Sequence, residues 1–348
     1  MNHSRSHRAA SQGGFSLIEL MISLVIGLII IGTVTGAFLM NSQVYESNRA
    51  MGRIQENARF AFELMSRDIR RAGEIPCGTD IDIANVLNNS ADNTESGTSN
   101  DWWARFGDGL EGFDGEDDFD GAGFGDSEAQ RLSGSDAIWI TATGSHPLSV
   151  VSHDTDAATL TLNSSDHPFE QGDILLVCDF DQASIFQMSG PASTGTTVQH
   201  LASSGLTPGN CTQGLGVSVA CGGSGTTKSY DENSLLARFD STAWYLGCNG
   251  RDDDCSTPEG RSLYRVALEN GSEVTREVVD SVSALGIQYL EDGDTDYEDA
   301  AEVGDWGDVV AVKLGLTLAR SDAGVGTNGA DDITRNYTHV VTLRNRLP

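Results

Sequence analysis

Lysine is almost absent from this 348-residue chain, with Lys228 and Lys313 the only two. A surface that holds a polyanion needs clustered cations, so no nucleic-acid contact is predicted. Enzyme signatures are missing as well. The chain has no G-x-S-x-G, no H-E-x-x-H, no P-loop and no dinucleotide fingerprint. No C-x-x-C occurs and the seven His are scattered, which removes the short regular spacing of thiolate and imidazole zinc sites. These gaps favour a structural or interaction role. A membrane-tethered periplasmic enzyme or binding protein is the remote alternative.

The formal charge is -30, and it is unevenly placed. Residues 1–71 carry +3 and the remainder -33, so the body attracts cations or basic partners and repels anionic surfaces. The six cysteines, Cys77, Cys178, Cys211, Cys221, Cys248 and Cys255, all follow the one long apolar run. An even number confined to that part suggests disulfides in an oxidising compartment; reduced thiols in a cytosolic protein are the competing reading. Cys211 with Cys221 and Cys248 with Cys255 are near enough to close small loops, leaving Cys77 and Cys178. Six cysteines still allow 15 connectivities.

Residues 1–14 contain Arg5 and Arg8 and no acid, a tail expected to stay cytoplasmic under the positive-inside rule. From Phe15 to Met40 the chain is apolar for 26 residues, enough for a hydrocarbon layer that needs roughly 20. A secretory signal places its small residues after the apolar run. Here Gly13 and Gly14 come before it, so cleavage there leaves the helix on the mature protein. Glu19 costs about 2.5–3.5 kcal/mol inside a membrane helix. Once Phe15 carries a free amine one turn away, that ammonium can pair with Glu19, within one chain or between neighbours. A carboxylate close enough to the interface to stay wet is the plainer explanation.

Gly14-Phe15-Ser16-Leu17-Ile18-Glu19-Leu20, with its basic leader and apolar helix, resembles the class III signal of type IV pilins and type II secretion pseudopilins. The resemblance implies cleavage after Gly14 by a prepilin peptidase, methylation of the Phe15 amine, and a subunit-docking role for Glu19. It also implies an inner-membrane protein with a cytoplasmic leader and a periplasmic head, later assembled into a surface pilus. The 14-residue leader is longer than many major pilins carry.

Past the membrane segment, Met51, Ile54, Ala58, Ala61, Met65, Ile69 and Ala72 recur at steps of three and four, one face of an α-helix. Gly73 and Pro76 then stop it. The helix predicted from Phe15 to Ala72 is about 87 Å long at 1.5 Å per residue, with Gly27, Gly32 and Gly36 as places where it could bend. A coiled coil is disfavoured by the short, Ala-rich seam. Residues 78–135, rich in Gly, Asp, Asn and Ser, read as a long irregular insertion. Strands are expected near 137–143, 159–162, 174–180, 184–188, 243–248, 262–268, 287–290, 309–319 and 337–343, an antiparallel sheet built from hairpins. The fold class is therefore α+β: leader 1–14, transmembrane helix 15–40, amphipathic helix 41–72, and a β-rich head 73–348 with long loops.

Residues Gln55 to Ala61 and Ser66 to Gly73, with Asp308 to Lys313, Leu318 to Ser321 and Tyr337 to Arg346, resemble the PilW family of minor pilins; residues 78–240 match no family. This resemblance implies a minor pilin that primes pilus assembly near the filament tip. Its partners are then other minor pilins, the major pilin and a tip adhesin, with no required cofactor. The J-type minor pseudopilin of type II secretion is the alternative.

Three acidic clusters carry calcium-type spacing. Glu116-x-Asp118-x-Asp120-Gly121 follows the start of an EF-hand loop, but its twelfth position is Ser127. Asp292-x-Asp294-x-Asp296 lacks the glycine, since Tyr297 stands there. Asp252-Asp253-Asp254 lies between two cysteines. Solvated acidic loops are the competing reading for all three.

Overall fold

The structure, a computed structural model, describes residues 16–78, 81–88, 90, 101–192, 195–202, 204–221, 225–251, 255–320 and 333–346. They divide into the helix as far as Gly52, and a head that takes in the helix from Arg53 onward. Helix α1 runs Leu17–Ile69 as one α-helical element, so the glycines at 27, 32 and 36 do not interrupt it. The expectation of an α+β protein with a long N-terminal helix and a largely antiparallel head is met.

In the head the buried residues of α1 are Ile54, Ala58, Ala61, Met65 and Ile69, continued by Ala72, the stripe expected from the periodicity. The helix ends where Gly73 takes φ +71, a conformation that suits glycine at a helix C-terminus. Its N–H bonds the carbonyl of Thr141 at 2.8 Å, and the Asn345 side chain caps the Ala72 carbonyl at 2.7 Å. A Cβ on Gly109 would stand 2.3 Å from the Gly73 Cα, so two glycines let these backbones touch.

Fourteen strands are described after the helix, in chain order. The first eight are β1 (Asp82–Asn85), β2 (Leu110–Phe113), β3 (Ala137–Thr143), β4 (Leu148–Asp154), β5 (Thr159–Leu162), β6 (Ile174–Cys178), β7 (Gln182–Gln187) and β8 (Thr197–Gln199). The rest are β9 (Leu235–Cys248), β10 (Arg261–Glu269), β11 (Ser272–Asp280), β12 (Val282–Glu291), β13 (Val309–Arg320) and β14 (Ile333–Thr342). β9 is the hub: its first half pairs with β4 and β6, its second half with β3 and β10. Eleven strands join through it into one sheet, while β12, β13 and β14 form a second, antiparallel sheet. The one parallel pair among the described strands is β1 with β7. Instead of a single sheet of hairpins, the head is thus two sheets, and the helix stripe is buried against residues of both. Ile138, Trp244 and Leu263 of the larger sheet and Ile287, Leu314 and Leu316 of the smaller share its core. Burying Ile54, Met65 and Ile69 contributes about 1.5–3 kcal/mol each.

The segment 78–135 departs from the expected irregular insertion. It supplies β1, β2 and a 3-10 turn, Trp102–Ala104, and it buries Trp102, Trp103, Phe106 and Phe119 in a core shared with Trp139 and Tyr245. Arg131, fully buried, organises the polar remainder. Its guanidinium donates to the carbonyls of Phe113, Asp114, Asp117 and Ser135 at 2.6 to 3.1 Å. Gly and Asp here build backbone turns around one cation, where each buried carbonyl must find a donor.

Three disulfides close the head: Cys77–Cys178, Cys211–Cys221 and Cys248–Cys255.

Candidate functional site

The sequence places the functional residues at the start of α1. Gly14 and Phe15, expected at the cleavage and methylation point, lie outside the described residues, as does the leader 1–14. Glu19 is described. It sits in the first turn of the helix, where Ser16 O accepts the Glu19 and Leu20 N–H groups at 3.0 and 3.2 Å. A carboxylate at this end is favoured by the helix dipole. From Leu17 to Tyr45 it is the only charged residue. Around it, every large apolar side chain through Tyr45 is between 51% and 78% exposed. A helix apolar on all sides needs a membrane or a bundle of like helices to cover it, and this one is long and apolar enough to cross a membrane.

The helix from Arg53 is fixed to the head by polar contacts as well as by its stripe. The buried Asp68 carboxylate accepts from Arg265 Nε at 2.8 Å and from Trp244 Nε1 at 3.2 Å. Asn57 donates to Asp280 at 3.0 Å, and Arg71 to Asp240 at 2.9 Å. The opposite face leaves Arg53, Arg59, Phe60, Glu63, Arg67 and Arg70 exposed.

The acidic loops are placed as follows. Asp118 and Asp120 are exposed on either side of the buried Phe119. Asp292, Asp294 and Asp296 are all exposed in the turn after β12. Among the described residues, Asp294 is brought together with Glu291 and Glu298, with carboxylate oxygens within 4.8 Å of one another. Asp292 and Asp296 are not in that group. Glu291 already accepts the Gly304 and Asp305 N–H groups at 3.0 and 2.9 Å. Partial desolvation, then the negative Asp294, Glu291, Glu302 and Asp296, raise the Glu298 carboxyl above its ordinary range. Asp252, Asp253 and Asp254 lie outside the described residues. An exposed acidic group of this kind is common without an ion and assigns no metal.

Two features had little or no signal in the sequence. One is the pair His153 and His200, whose Nε2 atoms are 3.0 Å apart although 47 residues separate them. The other is Phe180, 92% exposed, which the apolar run 174–180 places in a strand. The strand ends at Cys178, and Phe180 stands on the turn beyond it.

Residues 10–35 match the family model of the prokaryotic N-terminal methylation motif. No curated protein and no solved structure matches the chain. The matched segment contains the Gly-Phe-x-x-x-Glu run and most of the apolar run, which is the class III signal. That signal implies processing by a prepilin peptidase and assembly with other pilins. The N-terminus is that of a type IV pilin-like protein.

Proposed function

We propose that the chain is a minor pilin, a subunit of low copy number that helps prime type IV pilus assembly and sits near the filament tip. The observation that carries this reading is the methylation signal on a helix that continues unbroken into a large head. Subunits repeated along a filament must pack side by side. A head of fourteen strands with long loops suits a position where few neighbours compete for space. The likeness of residues 55–73 and 308–346 to PilW-type sequences supports the same assignment. The role is structural, with the inner membrane, prepilin peptidase, other minor pilins, the major pilin and a tip adhesin as its partners.

Two measurements test it. Mass spectrometry of the protein from its native host is expected to find an N-terminus at Phe15 with a methylated amine; retention of Met1 would refute cleavage. Glu19→Ala is expected to keep the protein in the membrane, because it removes the insertion cost of the charge, while surface piliation falls. Equal piliation in that variant removes the docking role from Glu19. Loss of type II secretion with normal pili would instead establish the J-type pseudopilin.

A further inference from the structure

Among the described residues, Phe180 is the most exposed large apolar side chain at 92%, beyond any described residue of the apolar helix. Elsewhere in the described head, the exposed large apolar side chains reach at most 49%. It stands at the tip of the β6–β7 hairpin, in Asp179-Phe180-Asp181. Turn positions are ordinarily filled by Gly, Asn or Asp, and a phenylalanine here adds nothing to the core.

The tip is also rigid. Asp179 N donates to Gln182 O at 3.0 Å, and the Asp179 carboxylate accepts the Asp181 and Gln182 N–H groups at 2.9 and 3.1 Å. Its other oxygen pairs with Lys228 Nζ at 2.8 Å. The residue before the turn, Cys178, is bonded to Cys77. These contacts restrain the backbone of the turn that carries Phe180, so little backbone ordering remains to be paid when a partner covers the ring.

Beside the ring lies an open cleft of about 370 Å³, with Pro76, Cys77 and Leu235 as apolar lining and Asp231 and Glu232 on its rim. Asp181, Asp231 and Glu232 are exposed. Lys228 is the one lysine near them, and Asp179 and Asp181 both engage it. An aromatic anchor at the centre of a charged rim is the anatomy of an interface hot spot. The rim's sign selects the partner by repelling anionic lipid and attracting cationic side chains.

We propose that the Phe180 tip and its acidic cleft are a docking surface for a protein that offers an apolar pocket bordered by lysine or arginine. This goes beyond the minor-pilin reading and does not depend on it, since neither the N-terminus nor Glu19 enters the argument.

The test uses the full-length chain in its host membrane, with a photo-reactive benzoylphenylalanine at position 180. The expected product is one protein adduct, mapped by mass spectrometry to a site flanked by Lys or Arg. With that protein purified, binding to the full-length chain in detergent is expected to weaken about tenfold or more in Phe180→Ala, as for an anchor residue. Asp231→Asn with Glu232→Gln is expected to weaken binding at low salt and to converge with the native chain near 0.5 M salt, roughly where screening removes the rim's contribution. All these side chains are exposed, so the variants are expected to retain the native thermal midpoint, which serves as the folding control. Adducts only with lipid, adducts at an acidic or uncharged protein site, no discrete adduct, or unchanged binding by Phe180→Ala would each overturn the proposal.

Discussion

Tyr230 donates its backbone N–H to Nδ1 of His153 at 3.2 Å, which fixes the histidine pair in one arrangement. With Nδ1 accepting, a neutral His153 carries its proton on Nε2 and donates it to Nε2 of His200, 3.0 Å away. Burial, and then the neighbouring His153, push His200 down to about 3; burial lowers His153 too, against the pull of Asp154. Both rings are neutral in the folded head at neutral pH. Protonating His200 would set two N–H donors against each other and break the pair. The unfolded chain binds that proton near pH 6.5, so stability falls as pH drops from about 6.5 towards 3, by up to about 1.4 kcal/mol per pH unit. Asp136 and Asp173 act in the opposite sense, because burial raises both and the folded state takes up their protons first. His200→Leu is expected to lower the thermal midpoint at pH 7.5 and to flatten its decline towards pH 4. An unchanged decline would place the acid sensitivity on other groups.

Among the elements, α1 owes its place to two kinds of contact that fail differently. The stripe from Ile54 to Ala72 is apolar and tolerates volume-conserving apolar swaps. The Asp68 clip is specific, because one carboxylate satisfies both Arg265 and the buried Trp244 ring nitrogen. Asp68→Ala is expected to cost about 2 kcal/mol through lost charge-assisted bonds, and Asp68→Asn to cost less. Thermal unfolding of the full-length protein measures both, and equal midpoints for all three chains would refute the clip. The strands divide in the same way between apolar and polar contacts. Runs such as 137–143 were legible as apolar segments, and the described strand has those bounds. β11 was not legible, since Ser272–Asp280 is a polar edge strand, mostly exposed, whose pairing with β10 is made by the backbone. The first half of β9 carries no clear apolar pattern for a related reason. Arg238 and Asp240 sit in it, paired with Asp173 and Arg71, and charged residues mid-strand hide the apolar pattern.

At the scale of the whole molecule, Cys77–Cys178 spans 101 residues and ties the chain just past the helix to the middle of the large sheet. In the chain-entropy view a loop of that size contributes about 4.7 kcal/mol, against about 2.7 kcal/mol for a ten-residue loop such as Cys211–Cys221. Replacing Cys77 and Cys178 by Ser is therefore expected to lower the thermal midpoint more than replacing Cys211 and Cys221. The reverse order would show that the loop around 211–221 carries more of the head's stability than its length implies.

The sequence by itself determined the N-terminal signal, the long helix and the stripe by which the helix meets the head, because each is written within one or two turns of neighbouring residues. The α+β class was equally local, a matter of apolar runs separated by turn residues. Tertiary structure decided among the cysteine connectivities that spacing left open, joined ten other strands to β9, and turned aromatic residues of the Gly/Asp-rich segment into core. Arg131 is the clearest case: no local pattern marks it as buried, yet four carbonyls from residues 113–135 converge on its guanidinium. Phe180 is the converse, an apolar residue that any local count assigns to the interior and that the hairpin carries into solvent. Periodicity records the side a residue faces only within one regular element. What lies on that side is set by segments a hundred residues away, and only the folded chain brings them together.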